Sequence, residues 1–426
     1  MKKYQAYKDS GISWIGEIPV DWSIKKLKYY TTINDEVLTE STAPNYEFRY
    51  VDIGSVTLQK GIEQYQGFSF ENAPSRARRI VRAGDVIVST VRTYLKAVAS
   101  IHDDKDVIVS TGFAVIRPKE VDSRFLAYSL ANHYFVEMVS SRSTGVSYPA
   151  INASAMVNIK NILPPNDIQK CIADYLDRKT EAVDTAISDK EKLIRLLEEQ
   201  RTSVICSAVT KGIDSTAEMK DSGNEWLGYI PSHWRVVPAK ALFAQSKEIR
   251  HETDAQLTAS QKYGIISQDD YMERQNYKIV LADKGLENWK HVEPNDFIIS
   301  LRSFQGGLEI SYIPGCITWH YIVLKPKAGV EPEYFKWLFK SPRYIQALQR
   351  TANFIRDGQD LRFSNFVQVP LPLIPMDEQK EIADYLNKKT ARIDSIIADV
   401  TEQIEKLKEY RQSIISEVVT GKVAVG

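Results

Sequence analysis

The most regular hydrophobic pattern in the chain lies near its C-terminal end. Side chains spaced in alternating steps of four and three residues occur at Ile393, Ile397, Val400, Ile404, Leu407, Arg411, Ile414 and Val418. Equivalent positions in the first half are Val183, Ile187, Lys190, Ile194, Leu197, Arg201, Val204 and Ala208. A four-three spacing sustained over this length is typical of a heptad repeat. The sequence therefore predicts two long helices, each with a seam for a partner helix.

Both helices have marked beginnings. Pro164-Pro165 precedes the first helix, Pro372 and Pro375 precede the second, and Asp167 or Asp377 is a candidate N-cap. A helix over residues 169–210 would be about 63 Å long. Because the seams match, we expect the two helices to pair as an intramolecular coiled coil, antiparallel if the two halves are related by a twofold axis. The alternative is that each helix packs only on its own domain. Arg201 and Arg411, which share one seam position, favour a role in alignment.

The helices belong to a larger internal duplication. A motif at residues 8–22 recurs at residues 220–234 with a constant offset of 212, and nine of its fifteen positions are identical. The shared residues are Lys8, Asp9, Ser10, Gly11, Trp14, Gly16, Ile18, Pro19 and Trp22. At an offset of 210, the segment from Gln169 to Leu176 matches the segment from Gln379 to Leu386. The chain is therefore one unit of about 210 residues present twice, which predicts two similar domains.

Each copy has a mixed pattern between its tryptophan motif and its long helix. Short apolar runs predict strands at 51–53, 85–89, 113–116, 296–300 and 321–324, and helices are predicted at 124–138 and 333–348. The fold class is thus α+β (mixed α/β), with pseudo-twofold symmetry from the tandem duplication. The predicted divisions are a first domain at 1–165, a first helical region at 166–212, a second domain at 213–374 and a second helical region at 375–426.

Composition and charge exclude several classes of protein. The chain has 426 residues, 43% of them hydrophobic, with 55 basic and 55 acidic residues, so its formal net charge is zero. This composition excludes wholesale disorder and a uniformly basic nucleic-acid coat. The cysteines, Cys171, Cys206 and Cys316, are far apart, so no thiol zinc site and no metal site of another kind is predicted. A polar N-terminus and the lack of a long apolar run lead us to expect a cytoplasmic protein without a membrane span.

Sequence motifs for catalysis are missing. The chain contains no Walker phosphate-binding loop, no GxGxxG dinucleotide fingerprint, no HExxH zinc motif and no GxSxG nucleophile elbow. The motif of adenine methyltransferases is also absent. We therefore predict no catalytic residues. The alternative of an enzyme with an unrecognised active site predicts activity from the isolated chain.

Basic residues instead cluster locally. Between residues 76 and 96 six basic residues face one acid, Asp85, and a second cluster extends over 336–362. Arginine and lysine on loops after strands suit contacts with phosphates and base edges. The candidate DNA-binding residues are Arg76, Arg78, Arg79, Arg92, Tyr94, Lys96, Arg142, Ser147, Arg302, Ser303, Gln305, Arg356, Gln359 and Arg362. The alternative for each cluster is an ordinary solvated charged face.

These features together resemble one family. The motif KDSGxxWxGxIPxxW at 8–22 and its recurrence, the proline-preceded helices, and the endings Val209-Thr210-Lys211-Gly212 and Val419-Thr420-Gly421-Lys422 are similar to specificity subunits of type I restriction–modification systems. The resemblance covers nearly the whole chain. It implies two target-recognition domains on a coiled-coil spacer, which bind double-stranded DNA at a bipartite, asymmetric target.

The resemblance also implies partners. In that family the helices dock two methyltransferase subunits that methylate adenine, and restriction subunits join the assembly. S-adenosylmethionine, ATP and Mg²⁺ would be used by those subunits, and no cofactor would be bound by this chain. The resemblance places the DNA-contacting loops at 89–96, 142–151, 300–306 and 353–362. The competing hypothesis is a protein scaffold that never touches DNA.

Overall fold

In the computed structural model, the described residues are 3–12, 15–276, 285–300, 303–351 and 361–425. The chain forms two compact units. The first consists of Met1–Glu191 and Thr401–Gly426, and the second of Lys192–Val400. Each unit therefore contains a globular module and one half of each long helix.

The globular module of the first unit contains fourteen described strands and three short helices. The strands are β1 (Tyr7–Asp9), β2 (Glu17–Pro19), β3 (Ser23–Lys26), β4 (Thr31–Ile33), β5 (Glu47–Val51), β6 (Val56–Thr57), β7 (Gly61–Ile62), β8 (Gln66–Ser69), β9 (Ala77–Ile80), β10 (Val86–Ser89), β11 (Val98–Ser100), β12 (Val107–Ser110), β13 (Phe113–Pro118) and β14 (Lys160–Leu163). The helices are α1 (Ser123–Ala131), α2 (His133–Ser141) and α3 (Ala153–Met156), and α4 (Asn166–Lys211) follows.

Two four-stranded sheets form the body of this module. One has the order β11-β10-β13-β4 and is antiparallel, and the other has the order β8-β5-β12-β9, with β5 and β12 parallel. Successive side chains of β10 explain the layering. Val86 and Val88 face the core under α1 and α2, whereas Ile87 faces the second sheet. Because both faces are covered, β10 is a continuous apolar run and not an alternating one.

The second unit has a similar order of elements, and its described residues form one four-stranded sheet and several two-stranded ones. Its strands are β15 (Met219–Asp221), β16 (Tyr229–Pro231), β17 (Arg235–Val237), β18 (Phe243–Gln245), β19 (Leu257–Ser260), β20 (Gly264–Ser267), β21 (Lys290–Val292), β22 (Phe297–Ile299), β23 (Glu309–Ile310), β24 (Gly315–Ile317), β25 (Ile322–Pro326) and β26 (Leu371–Leu373). Its helices are α5 (Ala239–Leu242), α6 (Gln268–Gln275), α7 (Ser303–Gly306), α8 (Pro332–Lys340), α9 (Pro342–Arg350), α10 (Phe363–Phe366) and the long α11 (Met376–Val419). The main sheet has the order β18-β25-β22-β23.

The fold class is confirmed, but several predicted element bounds were wrong. The helix predicted at 124–138 is two helices, because Asn132 has extended backbone angles and its side chain caps α2 by accepting from the Tyr134 N–H. The helix predicted at 333–348 is likewise interrupted at Ser341, which precedes Pro342 and therefore disfavours helical angles. The strand predicted at 51–53 ends at Val51.

The predicted N-caps were wrong by two residues, because the cap positions are Pro165 and Pro375. Asp167 and Asp377 lie inside the first turns of α4 and α11, which begin at Asn166 and Met376. In that position an acidic side chain still interacts favourably with the positive end of the helix dipole.

The two long helices run antiparallel, as predicted. In the first unit Arg411 Nε lies 2.8 Å from Asp184 Oδ1, and Lys190 Nζ donates to Gln403 Oε1 at 2.6 Å. As residue numbers rise along α4, those of the contacted residues fall along α11, so the helices have opposite directions.

The second unit contains the matching ion pair. Arg201 Nε lies 2.9 Å from Asp394 Oδ1. Arg201 and Asp394 correspond in the duplication to Arg411 and Asp184 of the first unit's pair. The arginines that interrupt the seam thus each pair with an aspartate of the facing helix.

All predicted seam positions are at least half-buried. The buried ones are Val183, Ile393, Val400, Ile404, Ile414 and Val418, and the half-buried ones are Ile187, Ile194, Leu197, Arg201, Val204, Ile397, Leu407 and Arg411. The seam is therefore covered along both helices.

The ends of the helices also complete the cores of the modules. In the first unit Ile414, Val418 and Val419 of α11 pack in one cluster with Trp22 and Phe125. In the second unit the cluster that holds Trp226 and Trp234 includes Ile205, Ala208 and Val209 of α4. Each module is thus closed by a helix end that belongs to the other copy of the repeat.

A glycine follows each of these helix ends for a steric reason. Gly421 has φ +75°, and a Cβ atom there would lie 2.4 Å from Pro19 Cδ and 3.0 Å from Trp22. Gly212 has φ +73° beside Trp234. Since left-handed angles and close approach both favour glycine, these two positions explain why the repeated endings contain it.

No helix within the described ranges is both long enough and apolar enough to cross a membrane.

We predict that the Asp184–Arg411 pair contributes measurably to pairing of the helices. A double-mutant cycle with Asp184→Ala and Arg411→Ala should give a coupling energy of about 1 kcal/mol in denaturant unfolding, because Arg411 is only 20% exposed. The control is Glu402 and Lys406 on α11, an i,i+4 pair that is about two-thirds exposed, for which we expect a smaller coupling because solvent screens it. Equal coupling for the two pairs would contradict the prediction.

Candidate nucleic-acid interface

The first module carries a tightly built loop between β10 and β11. Thr93–Leu95 form a 3₁₀ turn, and the residues on either side, Arg92 and Lys96, have φ values of 51° and 53°. Left-handed angles are unfavourable for residues with side chains, at roughly 1–2 kcal/mol each. The turn leaves Tyr94 and Leu95 exposed to solvent. A strained turn that displays an aromatic side chain is typical of a binding loop.

A second loop, 142–151, is joined to the first. Ala150 and Val91 form an isolated antiparallel β-bridge. The Ile151 N–H donates to Thr90 O at 2.9 Å, and Thr93 Oγ1 donates to Ser143 Oγ at 2.8 Å. Within the second loop Thr144 and Ala150 exchange backbone hydrogen bonds of 2.9 Å. The loops 90–96 and 142–151 therefore form one surface, which we call the first-module loop surface.

The basic side chains of this surface differ in whether an acid neutralises them. The Arg92 guanidinium lies over the Tyr148 ring, 5.2 Å from its centroid. Neither Arg92 nor Arg142 has a carboxylate within ion-pair distance in the described part of the chain. Lys96 is different, since its Nζ lies 2.5 Å from Glu137 Oε1, and this hydrogen bond holds the pKa of Glu137 below its ordinary value. Arg92 and Arg142 thus keep positive charge available for an anionic ligand.

The arginines predicted around β9 have different environments. Arg78 lies over Phe70 and is 3.8 Å from Glu40, and Arg79 is half-buried, so that burial lowers its pKa. Arg76 is exposed in the turn before β9, and its carbonyl accepts from the Thr111 N–H. The neighbouring residue Gly112 accepts from Thr90. Backbone hydrogen bonds therefore join the turn that holds Arg76 to the first-module loop surface.

The candidate DNA-binding residues of the second module differ in their exposure to solvent. Gln305 and Arg362 are exposed, and Arg362 precedes α10, where its N–H donates to Asn365 Oδ1 at 3.0 Å. Ser303 is fully buried and its Oγ accepts from the Ser300 N–H at 2.8 Å, which does not fit a contact with DNA. Arg302, Arg356 and Gln359 lie outside the described residues.

The basic cluster predicted at 336–362 is partly neutralised by acids that are distant in sequence. Lys340 pairs with Glu309, and Arg350 lies 2.8 Å from Glu225. Lys336 pairs with Glu333 on the same helix at 3.0 Å. For these side chains the alternative of a structural, ion-paired surface is favoured.

Within the predicted loop 142–151, the structure exposes two residues that were not among the candidate DNA-binding residues. Val146 is fully exposed at the tip of the second loop, and Tyr148 is 66% exposed, whereas Ser147 between them was predicted and is also exposed. The sequence contained a signal for their exposure, because Val146 and Tyr148 lie next to Gly145 in a short polar stretch that predicts a turn. Arg92 and Tyr148 are brought together only by the fold.

Comparison with known proteins identifies the family. The family model for the type I restriction modification DNA specificity domain matches residues 19–194 and 231–406. The chain is 22% identical to the putative type I restriction enzyme MjaX specificity subunit of Methanocaldococcus jannaschii, over 99% of this chain and 98% of that one. It is 20% identical to the EcoKI specificity subunit of Escherichia coli K12, over 72% and 68%.

Solved structures show the same fold. A chain from a study of assembly and conformational transition of the type I R-M system superposes with a TM-score of 0.72 at 21% identity, covering 95% of this chain and 99% of that one. The HsdS subunit of Thermoanaerobacter tengcongensis gives 0.53 at 22% identity, covering 95% and 98%. The chain belongs to the family of type I restriction–modification specificity subunits, which recognise the DNA sequence and do not themselves catalyse the reaction.

Proposed function

We propose that this specificity subunit binds a bipartite, asymmetric DNA target, with one module on each part. The observation that carries the proposal is the first-module loop surface, where two hydrogen-bonded loops display Arg92 and Arg142 without carboxylate partners. The second module differs at the equivalent loop, so its half of the target should have a different sequence. The domains predicted at 1–165 and 213–374 would be the two target-recognition domains.

The remaining parts of the proposal concern the partners. The paired helices would dock two methyltransferase subunits, and restriction subunits would join that assembly. S-adenosylmethionine, ATP and Mg²⁺ would be bound by those subunits and not by this chain. The seam is occupied by the facing helix, so docking would use the exposed sides of α4 and α11.

Arg92 is the best-supported candidate for a base contact. A guanidinium can donate two parallel hydrogen bonds to O6 and N7 of guanine in the major groove. Contact with the Tyr148 ring restricts the Arg92 side chain before DNA binds, which lowers the entropy cost of ordering it. Lys96 is a weaker candidate because Glu137 offsets its charge.

We predict that Arg92→Ala weakens binding to the cognate target by about 1–3 kcal/mol and relaxes the preference at one base pair. The measurement is fluorescence anisotropy with the methyltransferase complex and a set of single-substitution targets. Arg78→Ala is the matched control, since its guanidinium lies over Phe70 within its own module. An equal loss on every DNA sequence would indicate a phosphate contact instead. No loss would exclude Arg92 from the interface.

The proposed function as a whole predicts a change in the host methylome. Deleting the gene for this chain should abolish adenine methylation at one two-part asymmetric motif, as measured by long-read sequencing of host DNA. If methylation is unchanged, co-expression of this chain with its methyltransferase in a host that lacks both is the second measurement. Absence of a new methylated motif in that host would refute the proposal.

The duplication also predicts that residues 1–212 form a dimer with a symmetric target. In the full chain Ile415 of α11 packs in the cluster that holds Trp22, and its equivalent in the repeat is Ile205 of α4. A second copy of the half-chain should therefore supply Ile205 in place of Ile415.

Light scattering on the half-chain should give the mass of two copies. Ile205→Asp should abolish dimerisation because it places a charge in the core of the partner's module. Ser207→Asp, on the exposed side of the same turn, is the control and should leave the dimer intact. A folded monomer with the unaltered sequence would overturn the prediction.

A further inference from the structure

The second unit gathers metal-binding side chains that are distant in sequence. Glu248, His251 and His291 each offer one ligand atom, and these atoms lie within 4.8 Å of one another. Glu248 and His251 lie in the segment 246–256 between β18 and β19, and His291 lies in the middle of β21. Imidazole nitrogen and carboxylate oxygen are common ligands of zinc in proteins.

Backbone hydrogen bonds hold these residues in place. The His291 N–H donates to Glu248 O at 3.1 Å, and the Arg250 N–H donates to Trp289 O at 2.9 Å. The segment 246–256 is thus fastened alongside β21. The rings of His251 and His291 stack with centroids 4.0 Å apart and an angle of 29° between their planes.

A buried carboxylate orients the His291 ring and holds the backbone of His251. Asp254 Oδ2 accepts from the backbone N–H of His251 at 2.8 Å and lies 2.8 Å from His291 Nδ1. The Asp254 side chain is only 7% exposed and that of His291 only 4%. A carboxylate that bonds one ring nitrogen of a histidine is the usual support of a metal-ligating imidazole, because it fixes the orientation of the ring.

The local charge favours a cation. Ion-pair contacts join four carboxylates in this region, those of Glu248, Asp254, Glu293 and Asp296, to one lysine, Lys325, and the two imidazoles. With neutral imidazoles the acids exceed the lysine by three charges. A divalent ion would offset most of this excess.

We propose that Glu248, His251 and His291 bind a divalent transition metal ion, for which Zn²⁺ fits the donor set. Asp254 bonds Nδ1 of His291, so the ion would take Nε2 in place of the hydrogen bond to Glu293 Oε1, and water would fill the fourth tetrahedral position. The ion would fasten the segment 246–256 to β21 and so stabilise the sheet that β21 forms with β24. The role is structural, and it is independent of the proposed contacts with DNA.

The test uses the full-length chain after treatment with a chelator. Titration with Zn²⁺ in a calorimeter should show binding of one ion per chain and a rise in the unfolding temperature, because a ligand that binds only the folded state stabilises it. Replacement by Co²⁺ should give the visible absorption of a tetrahedral site. Glu248→Gln and His251→Ala should each weaken Zn²⁺ binding by about tenfold or more. These side chains are 42% and 53% exposed, so both variants should fold.

His233→Ala is the matched control. His233 is also an exposed histidine of the second unit, and its Nε2 lies 2.8 Å from Glu378, but it has no second imidazole beside it. This variant should bind Zn²⁺ like the unaltered chain. The proposal is overturned if the chelated chain binds no Zn²⁺. It is equally overturned if binding is unchanged in both Glu248→Gln and His251→Ala, since the ion would then lie elsewhere.

Discussion

Each globular module depends on a helix end that the other copy of the repeat supplies. Trp22 and Phe125 of the first module share a core with Ile414 and Val418, which lie near the C-terminal end of the chain. Burying a side chain such as Ile or Val contributes about 1.5–3 kcal/mol. A module without its helix end would therefore expose a substantial apolar face. This constraint makes the antiparallel pairing of α4 and α11 a condition for closing both modules.

The same constraint explains which parts of the duplicated sequence stayed alike. Both helix ends must fit an Ile-Pro-Trp surface at close range, and both end in a glycine with positive φ. The loops that follow β10 and β22 expose Tyr94, Leu95 and Gln305 to solvent. They differ in sequence and in local structure, a 3₁₀ turn at Thr93–Leu95 and a short helix at Ser303–Gly306. Packing therefore fixes the shared segments and leaves the exposed loops free to differ.

Sequence periodicity was sufficient for the long helices, because a heptad seam is a local signal repeated many times. The hydrophobic period alone did not predict that a single residue interrupts a helix, as Asn132 and Ser341 do. The candidate interface was harder to predict from the sequence than the helices were. Whether Lys340 carries free charge depends on Glu309, and whether Arg92 is held in place depends on Tyr148. Such partners meet only through tertiary structure. The His251 and His291 cluster escaped sequence analysis for the same reason, since its ligands are 40 residues apart.

Many basic residues of the chain are used in ion pairs within the protein. Lys96, Arg78 and Arg82 each have a carboxylate within 4 Å, so much of the first basic cluster holds the module together. Only a few guanidinium groups, such as those of Arg92 and Arg142, keep their charge free on the first-module loop surface. A protein that binds DNA by charge alone would bind every sequence with similar strength. Sequence preference must come from contacts that depend on the bases, because phosphate contacts carry no sequence information.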